Sequence, residues 1–283
     1  MKHRRKHGKI NKILMGLCAL TTIDGGDDLR RVSASVVVYD GYEEARLAAG
    51  TLLEYTRGVE LDLYLVDNHS PDGSGEKLQQ EFGGRATVIC LPENKGFGAG
   101  HNVVRDRLDS RYHAVINPDI TVNSDVLTAM ADYLDSHPDA AAVTPRLLFP
   151  DGREQEIAKR NPTLLALMGR RLPFAFLRKA EDDYLMRDQD LSVPCSIEFC
   201  TGCFFMMRTE IFQKIGGFDE RYFMYFEDAD IGRMAAQYGN IVHLPQVTVY
   251  HAWHRQTAKR ADHFLWQLRS MFRYFHKWGF RLK

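Results

Sequence analysis

The chain has 283 residues, of which 45% are hydrophobic and 26% charged, and its basic and acidic residues balance to a formal net charge of zero. This composition is typical of a globular protein with a sizeable core and excludes disordered and fibrous classes. No run of about 18 apolar residues occurs, so the sequence predicts no transmembrane helix. The five cysteines form no paired framework, which favours a reducing compartment.

Both ends of the chain are basic. Residues 1–12 carry six Lys or Arg side chains and no acid, and residues 253–283 carry eight against the single Asp262. The residues in between therefore hold the excess of acids. Basic ends on an acidic body favour an anionic membrane surface over nucleic acid, which would need a basic groove in the body itself.

Residues 1–31 are interpreted as a basic N-terminal extension. The apolar stretch Ile13–Ile23 superficially resembles a secretory signal peptide. Gly16, Thr21 and Thr22 interrupt it, and no clear small-residue cleavage site follows. We therefore favour a loosely ordered or membrane-touching extension over secretion, and expect a cytoplasmic protein that is peripheral at the inner face of the plasma membrane.

Strand and helix patterns alternate along the first part of the chain. Strands are predicted at residues 34–39, 61–66, 86–91 and 112–116, and helices at 43–55, in a short stretch ending at 82, and at 98–108. This alternation predicts an α/β fold with a mostly parallel, Rossmann-like sheet flanked by helices. We expect one such domain over residues 32–258.

Polar residues follow each of the four predicted strands, at 39–40, 67–70, 92–96 and 117–119. Sheets of this class bind ligands beyond the carboxyl ends of their strands. Turn chemistry alone explains any one cluster, because Asp, Asn, Gly and Pro form turns. Four such clusters at one edge predict a ligand site.

The pattern loosens after residue 152. Residues 160–195 are predicted to be an irregular insertion that faces the substrate. Regular structure is expected again at 198–207, 210–215 and 227–238, with short strands near 241–244 and 247–250.

Four short motifs occur in a fixed order. They are Asp67-Asn-His-Ser-Pro-Asp-Gly73, Asn94-Lys-Gly-Phe-Gly-Ala-Gly-His-Asn102, Asn117-Pro-Asp-Ile120 and the segment 216–230. Together they resemble the family 2 glycosyltransferases of the GT-A fold, within them the rhamnosyltransferase-like branch, over roughly residues 32–280. The resemblance implies inverting transfer of a sugar, with L-rhamnose from dTDP-rhamnose as the narrower expectation, to a lipid-linked or growing cell-surface glycan. A UDP-hexose donor is the alternative.

The resemblance also implies a divalent cation, Mg²⁺ or Mn²⁺, which neutralises the donor's diphosphate. Asn117-Pro-Asp119 occupies the place of the family's Asp-x-Asp motif, so Asp119 is the main expected metal ligand. Asn117 is left to contact the metal or the donor ribose. A histidine is implied to complete the site, and His251, at the end of a predicted strand, is favoured over His254.

The donor is expected to lie against the ends of the first three strands. The resemblance implies that Asp67 binds the pyrimidine or its ribose, and Tyr39 is placed to stack on the base. Glycines let the backbone approach a ligand closely, so Asn94, Gly96 and Asn102 are predicted to line the donor as well.

An inverting transfer needs a base that deprotonates the acceptor hydroxyl. The resemblance assigns this role to Asp228. Glu227, Asp230 and Tyr225 are predicted to support the acceptor side. Acids at a helix N-terminus also complement its dipole, which is the alternative explanation for Glu227 and Asp230.

Residues 259–283 are predicted to form a basic amphipathic helix. Its apolar stripe consists of Phe264, Leu268, Met271, Phe275 and Trp278, and nearly opposite lie Arg269, Arg273 and Lys277. Such a helix either lies in a membrane interface or packs its stripe on the domain. The basic N-terminus favours the membrane.

Two other functions fit parts of the sequence. A nucleotidyltransferase or epimerase on a similar sheet is disfavoured, because no phosphate-binding signature follows the first strand. A catalytically inactive carbohydrate-binding or scaffold protein is supported only by Asn117, whereas Asp119, Asp228 and His251 argue against it.

Overall fold

A computed structural model describes residues 30–169, 172, 174–253, 261–280 and 282 of the chain. Its strands are Arg31–Val38 (β1), Glu60–Asp67 (β2), Thr87–Cys90 (β3), Tyr112–Ile116 (β4), Ile120–Thr121 (β5), Ala140–Leu148 (β6), Cys195–Ile197 (β7), Phe204–Arg208 (β8) and Asn240–His251 (β9). Its helices are Tyr42–Tyr55 (α1), Ser74–Phe82 (α2), Phe97–Asn102 (α3), Val126–Ser136 (α4), Leu164–Gly169 (α5), Ala175–Tyr184 (α6), Thr209–Lys214 (α7), Glu227–Ala235 (α8) and Ala261–Trp278 (α9).

The strands form one sheet in the order β3-β2-β1-β4-β8-β6-β9-β5, with β7 paired to β9. The expected α/β class is confirmed, and β3, β2, β1 and β4 are parallel to one another. Beyond β4 the sheet is mixed, because β8 runs antiparallel to both β4 and β6. The carboxyl ends of β1, β2 and β4 therefore meet at one edge, as expected from the sequence.

Helices cover both faces of the sheet, so β1 is buried from Val32 to Val38. Its residues contribute to two different cores: Val36 belongs to the cluster that includes residues of α1 and α2, whereas Val37 belongs to the cluster that includes residues of α7 and α8. Burial on both faces accounts for the continuous apolar run Val36–Val38, and the two serines earlier in the strand are buried as well.

A buried polar network ties α3 to the centre of the sheet. Ser35 Oγ lies 2.7 Å from His101 Nδ1 and 3.0 Å from His113 Nε2, and Ser33 Oγ lies 2.8 Å from His113 Nδ1. Burial lowers the pKa of His113 to about 3 and holds the pKa of His101 well below its usual range. Both rings are therefore neutral, and they anchor α3 against β1 and β4.

Three predicted elements differ from the structure. The helix predicted at 98–108 is the short α3 followed by a separate 3₁₀ turn at Arg105–Arg107. The insertion at 160–195 is not irregular, because it contains α5 and α6. The two short strands expected near 241–250 are the single strand β9, whose pairing with β6 shifts register beside Pro245, which has no N–H to donate.

Helix α9 packs on the domain through only part of its predicted apolar stripe. Phe275 is buried in a cluster with Phe199, Tyr222 and Tyr274, whereas Phe264 is 45% exposed. Much of the contacting face is polar. Ser270 Oγ donates to Met224 O, and His263 Nδ1 lies 2.8 Å from Tyr225 Oη.

Lys277 also differs from its predicted place on a solvent-facing basic side. It is half-buried and forms an ion pair of 2.7 Å with Asp230. Within the described residues, no helix has both the length and the apolarity needed to cross a bilayer.

Candidate active site

The predicted donor residues of β1 and β2 lie at the same edge of the sheet. Val38 pairs with Asp67 in parallel register, so the residue that follows β1, Tyr39, projects beside the end of β2. Tyr39 is 52% exposed, as a ring that receives a ligand must be, and Asp67 is buried. Gly75 leaves room for this carboxylate, since a Cβ at residue 75 would lie 2.9 Å from Asp67 Oδ2.

Asn68 organises the glycine-rich segment 94–102 against the end of β2. Its Nδ2 donates to Asn94 Oδ1 (3.1 Å) and to the carbonyl of Gly96 (3.0 Å), and its Oδ1 accepts from the N–H of Lys95 (3.0 Å). Asn94 Oδ1 also accepts from the N–H of Gly96. The loop is thereby held in one conformation at the edge of the sheet.

Gly96 connects this loop to the aromatic segment that precedes α8. The residue has a φ of +86°, and a Cβ at this position would lie 2.3 Å from the carbonyl oxygen of Phe223. Phe97 donates its N–H to that same carbonyl at 3.0 Å. Only glycine permits both the left-handed backbone and this close approach.

Asn102, predicted to line the donor, holds the segment 216–220 through its side chain. Its Oδ1 accepts from the N–H of Phe218, and its Nδ2 donates to the carbonyl of Phe218 and to Glu220. The amide is thus fully engaged in holding the segment 216–220 to the end of α3.

The Asn117–Asp119 turn and Asp228 lie on either side of the segment that leads into β8. Asn117 donates its N–H to the carbonyl of Cys203 at 2.9 Å. The next residue towards the N-terminus, Gly202, contacts Asp228: a Cβ at residue 202 would lie 3.3 Å from Asp228 Cβ and 3.3 Å from the ring of Phe97. The structure therefore brings together motifs that are far apart in the sequence.

Opposing effects act on the carboxylate of Asp228. Burial raises its pKa, and this effect is opposed by the charge of Lys159 and by hydrogen bonds from the backbone N–H groups of Ala229 and Gly202. The same charges act on the thiol of Cys203, whose pKa is raised to about 11, mainly by burial. The charge of Lys159 lowers this pKa, and the charges of Asp119 and Asp228 raise it. Lys159 is therefore a cation close enough to this acidic region to act on both Asp228 and Cys203.

Glu227 differs from its neighbour Asp228. It is only 6% exposed, and its Oε2 has no hydrogen-bond partner among the described residues. Burial and the charge of Asp228 raise the pKa of Glu227 well above its usual range. A buried carboxyl in this situation favours its protonated form, so of the two acids Glu227 is the one that keeps its proton to the higher pH.

Asp230 and Tyr225 are directed towards α9. Asp230 is fully buried and accepts from Lys277 Nζ (2.7 Å) and Trp278 Nε1 (2.6 Å). It therefore anchors the C-terminal helix to α8. Tyr225 Oη lies 2.8 Å from His263 Nδ1, so this ring connects α9 to the segment before α8.

The two predicted metal ligands lie side by side. His251 Nε2 is 3.3 Å from Asp119 Oδ1, and their side chains are 7% and 15% exposed. β5 begins directly after Asp119 and pairs with the end of β9, so the backbone fixes this proximity. No cluster of three or more His, Cys, Asp or Glu side chains with metal-ligand geometry occurs in the part of the chain that the structure describes. His254, the less favoured candidate, lies outside the described residues.

Sequence reasoning missed Asn68, Gly202 and Lys159. Asn68 lies within a quoted motif, and a glycine between two buried cysteines was a usable signal for close packing at residue 202. Lys159 offered no local signal, because it lies in a segment of irregular structure that becomes relevant only through its position near Asp228.

The chain resembles known sequences over most of its length. The sequence model described as Glycosyl transferase family 2 matches residues 36–216. An N-acetylglucosaminyl-diphospho-decaprenol L-rhamnosyltransferase of Mycobacterium tuberculosis is 28% identical over 210 residues, which span 68% of this chain and 66% of that protein. The rhamnosyltransferase WbbL of Escherichia coli is 26% identical over 191 residues, which span 63% of this chain and 69% of that protein.

Solved structures of glycosyltransferases share the fold. GalNAc-T7 with UDP, GalNAc and Mn²⁺ superposes with a TM-score of 0.63 at 14% identity, covering 89% of this chain and 48% of that one. The mannosyltransferase PcManGT from Pyrobaculum calidifontis, in complex with GDP-Man and Mn²⁺, gives a TM-score of 0.58 at 15% identity, covering 87% of this chain and 66% of that one. The fold is the expected GT-A fold, and the protein belongs to glycosyl transferase family 2.

Proposed function

We propose that this protein is an inverting glycosyltransferase that transfers a sugar from a nucleoside diphosphate donor to a lipid-linked glycan acceptor. The observation that carries the proposal is the meeting of Asp67, the loop around Gly96, the Asn117–Asp119 turn and Asp228 at one edge of the sheet. L-Rhamnose from dTDP-rhamnose is the proposed sugar, because both relatives named above are rhamnosyltransferases. A UDP-hexose is the alternative donor.

The nucleotide would lie across the ends of β1 and β2. The exposed ring of Tyr39 offers a surface for the base, and the buried carboxylate of Asp67 is a hydrogen-bond acceptor for the pyrimidine or the ribose. Asn94 and Gly96 would border the donor on the opposite side, and Asn117 would contact the ribose or the metal.

The residues present suit a divalent cation. Asp119 supplies a carboxylate and His251 an imidazole, two donor types that Mn²⁺ accepts, and few protein ligands are typical where substrate phosphates complete the coordination. Mg²⁺ or Mn²⁺ held there would neutralise the charge that develops on the departing diphosphate. Asn117 adds no charge to this site.

Asp228 would serve as the base. The charge of Lys159 favours its ionised form, whereas the pKa of the adjacent Glu227 is raised further, so Asp228 is the acid of the pair that suits acceptance of a proton. In the proposed reaction Asp228 takes the proton of the acceptor hydroxyl as that oxygen attacks the anomeric carbon. Attack opposite the departing diphosphate inverts the configuration at this carbon.

A panel of nucleotide sugars tests the proposed donor. We expect dTDP-rhamnose to raise the unfolding temperature of the protein when Mn²⁺ or Mg²⁺ is present, and to do so less without metal, because only the folded state binds the donor. UDP-hexoses are compared in the same assay. ADP-glucose, which carries a purine in place of a pyrimidine, is the control for recognition of the nucleobase. Absence of stabilisation by every nucleotide sugar would favour a scaffold function.

We further propose that α9 lies against an anionic membrane surface. Of the fourteen large hydrophobic side chains exposed in the described residues, nine lie within residues 168–176 or 264–282. Helix α5, which ends within the first segment, contacts the second, since Leu165 donates its N–H to the carbonyl of Leu282. On α9 the exposed apolar residues Leu265 and Phe272 alternate along one side of the helix with Arg269 and His276, which are also exposed.

An outward apolar face beside basic side chains suits a lipid surface with negative headgroups. A lipid-linked acceptor would be presented at such a surface. The face of α9 that contacts the domain combines the buried ring of Phe275 with the polar contacts of His263 and Ser270, whereas Leu265 and Phe272 are exposed on the outside of the molecule.

Phe272→Glu tests this orientation. We expect the partition coefficient of this variant onto phosphatidylglycerol-containing vesicles to be about tenfold lower than that of wild type. The reason is that burying a Phe side chain contributes about 1.5–3 kcal/mol to the free energy of transfer from water. Leu47→Glu is the matched control, because Leu47 is an equally exposed apolar residue on α1. Vesicle co-sedimentation measures both. Equal binding by wild type and Phe272→Glu would return α9 to a purely structural role.

A further inference from the structure

We propose that Gln155 is a positioning residue that orients His251 for metal binding and fixes which ring nitrogen is available to the metal. This inference rests on the proposed function, in which His251 and Asp119 hold the cation. Nothing in the sequence pattern singled out Gln155, which follows the turn after β6 and is adjacent to Glu154, a residue that forms an isolated bridge with Leu148.

Gln155 holds His251 at two points. Its Oε1 lies 2.8 Å from His251 Nδ1, and its Nε2 donates to the backbone carbonyl of His251 at 2.9 Å. Gln155 is 5% exposed and is itself fixed by a hydrogen bond from its N–H to the carbonyl of Leu147. A buried amide with both ends engaged leaves the histidine ring a single orientation.

The pattern of donors and acceptors determines the tautomer. A backbone carbonyl can only accept, so the Gln155 atom that faces the His251 carbonyl must be the N–H-bearing Nε2. The atom facing the ring is therefore Oε1, which can only accept, and so Nδ1 carries the hydrogen. In the neutral ring, Nε2 then presents its lone pair.

That lone pair faces Asp119. Nε2 lies 3.3 Å from Asp119 Oδ1, so two electron-pair donors converge on one point. Histidines that bind metals donate their other ring N–H to an acceptor of the protein, which orients the ring and raises its basicity as a ligand. Gln155 supplies this acceptor, and it also donates a hydrogen bond to the backbone carbonyl of His251.

The first test uses NMR of the metal-free protein labelled with ¹⁵N in its histidine rings. His251 is assigned by the loss of its signals in His251→Asn. We expect the Nδ1–H tautomer in wild type and a shift towards Nε2–H in Gln155→Met, which keeps the side-chain volume and removes both hydrogen bonds. An Nε2–H ring in wild type, or the same tautomer in both proteins, would overturn the inference.

The second test measures Mn²⁺ affinity by calorimetry in the presence of dTDP. We expect Gln155→Met to bind Mn²⁺ about 10–100-fold more weakly, the usual cost of losing such a partner. Gln213→Met is the matched control, because Gln213 also donates to backbone carbonyls, those of Arg105 and Leu108 at the 3₁₀ turn after α3. This change should leave the Mn²⁺ affinity unaltered.

The outcomes separate this inference from the proposed function. Equal Mn²⁺ affinity in wild type and Gln155→Met would overturn the role of Gln155 and leave the metal site intact. No Mn²⁺ binding by wild type would overturn the metal site itself. If Gln155→Met does not fold, Gln155→Asn provides the same comparison, since its shorter amide cannot make both contacts to His251.

Discussion

Asp228→Asn is expected to reduce sugar transfer by about 10²–10⁴-fold, the range that general base catalysis contributes. Asparagine has nearly the same shape and can accept the hydrogen bonds from the N–H groups of Ala229 and Gly202, but it cannot take up a proton. Binding of the donor is expected to change little. The measurements are the release of nucleoside diphosphate in the presence of acceptor lipids and, separately, donor-induced thermal stabilisation.

The pH dependence of wild type gives a second check on Asp228. Because burial raises the pKa of this carboxyl, the ionised and active form is lost as the pH falls through a value above the usual range for aspartate. We therefore expect kcat/KM to decrease on acidification, and expect Asp228→Asn to lack this dependence. Lys159→Met removes a nearby positive charge and should move the acid limb to higher pH.

Glu227→Gln is the matched comparison for Asp228→Asn. The buried carboxyl of Glu227 already holds a proton, so an amide replaces a neutral group of similar size. We expect this variant to retain transfer to within about tenfold, well above the activity left when the base is removed. Greater loss in Glu227→Gln than in Asp228→Asn would assign the base to Glu227.

The parallel part of the fold could be predicted from the sequence because its signals are local. The strand predicted at 112–116 is β4, and the run at 34–39 overlaps β1 with a difference of a few residues. Burial on both faces produces continuous apolar runs, and turn residues mark their ends. The mixed part of the sheet was harder, since Pro245 interrupts the pattern of a strand that tertiary pairing nevertheless continues.

The candidate site was predictable only where a motif lies directly after a strand. Asp67 is the last residue of β2 and Asp119 lies just after β4, so the topology alone brings them to one edge. The roles of Asn102 and Asp230 could not be deduced in this way. Their side chains bond to Phe218 and to Lys277, and both partners are remote in the chain.

Gln155 illustrates the same limit most clearly. It is separated from His251 by 96 positions, and neither its residue type nor its position in the sequence predicts the hydrogen bond between the two side chains. A glutamine after a strand is ordinarily a solvated side chain, and only burial with two satisfied hydrogen bonds distinguishes this one. Local patterns therefore identified residues that could act, whereas the tertiary structure identified the residues that hold them in place.

Asp119→Ala is expected to weaken Mn²⁺-dependent donor binding by about 100-fold or more, since losing a partner that merely orients a ligand costs about 10–100-fold. Asp119 supplies the only carboxylate of the Asn117-Pro-Asp119 segment. Its loss removes the carboxylate that lies 3.3 Å from His251 Nε2. Calorimetry with Mn²⁺ and dTDP measures the effect, and binding in the absence of metal should change much less.

Asn117→Asp is the reciprocal variant. A second carboxylate in the turn adds negative charge, so Mn²⁺ affinity is expected to rise if the side chain of residue 117 faces the metal, and to stay unchanged if it faces the ribose. Asp106→Ala is the control, because Asp106 is an exposed acid paired with Arg105. Undiminished Mn²⁺-dependent binding in Asp119→Ala would exclude the Asp119–His251 pair as the metal site, and the cation would then require ligands outside this turn.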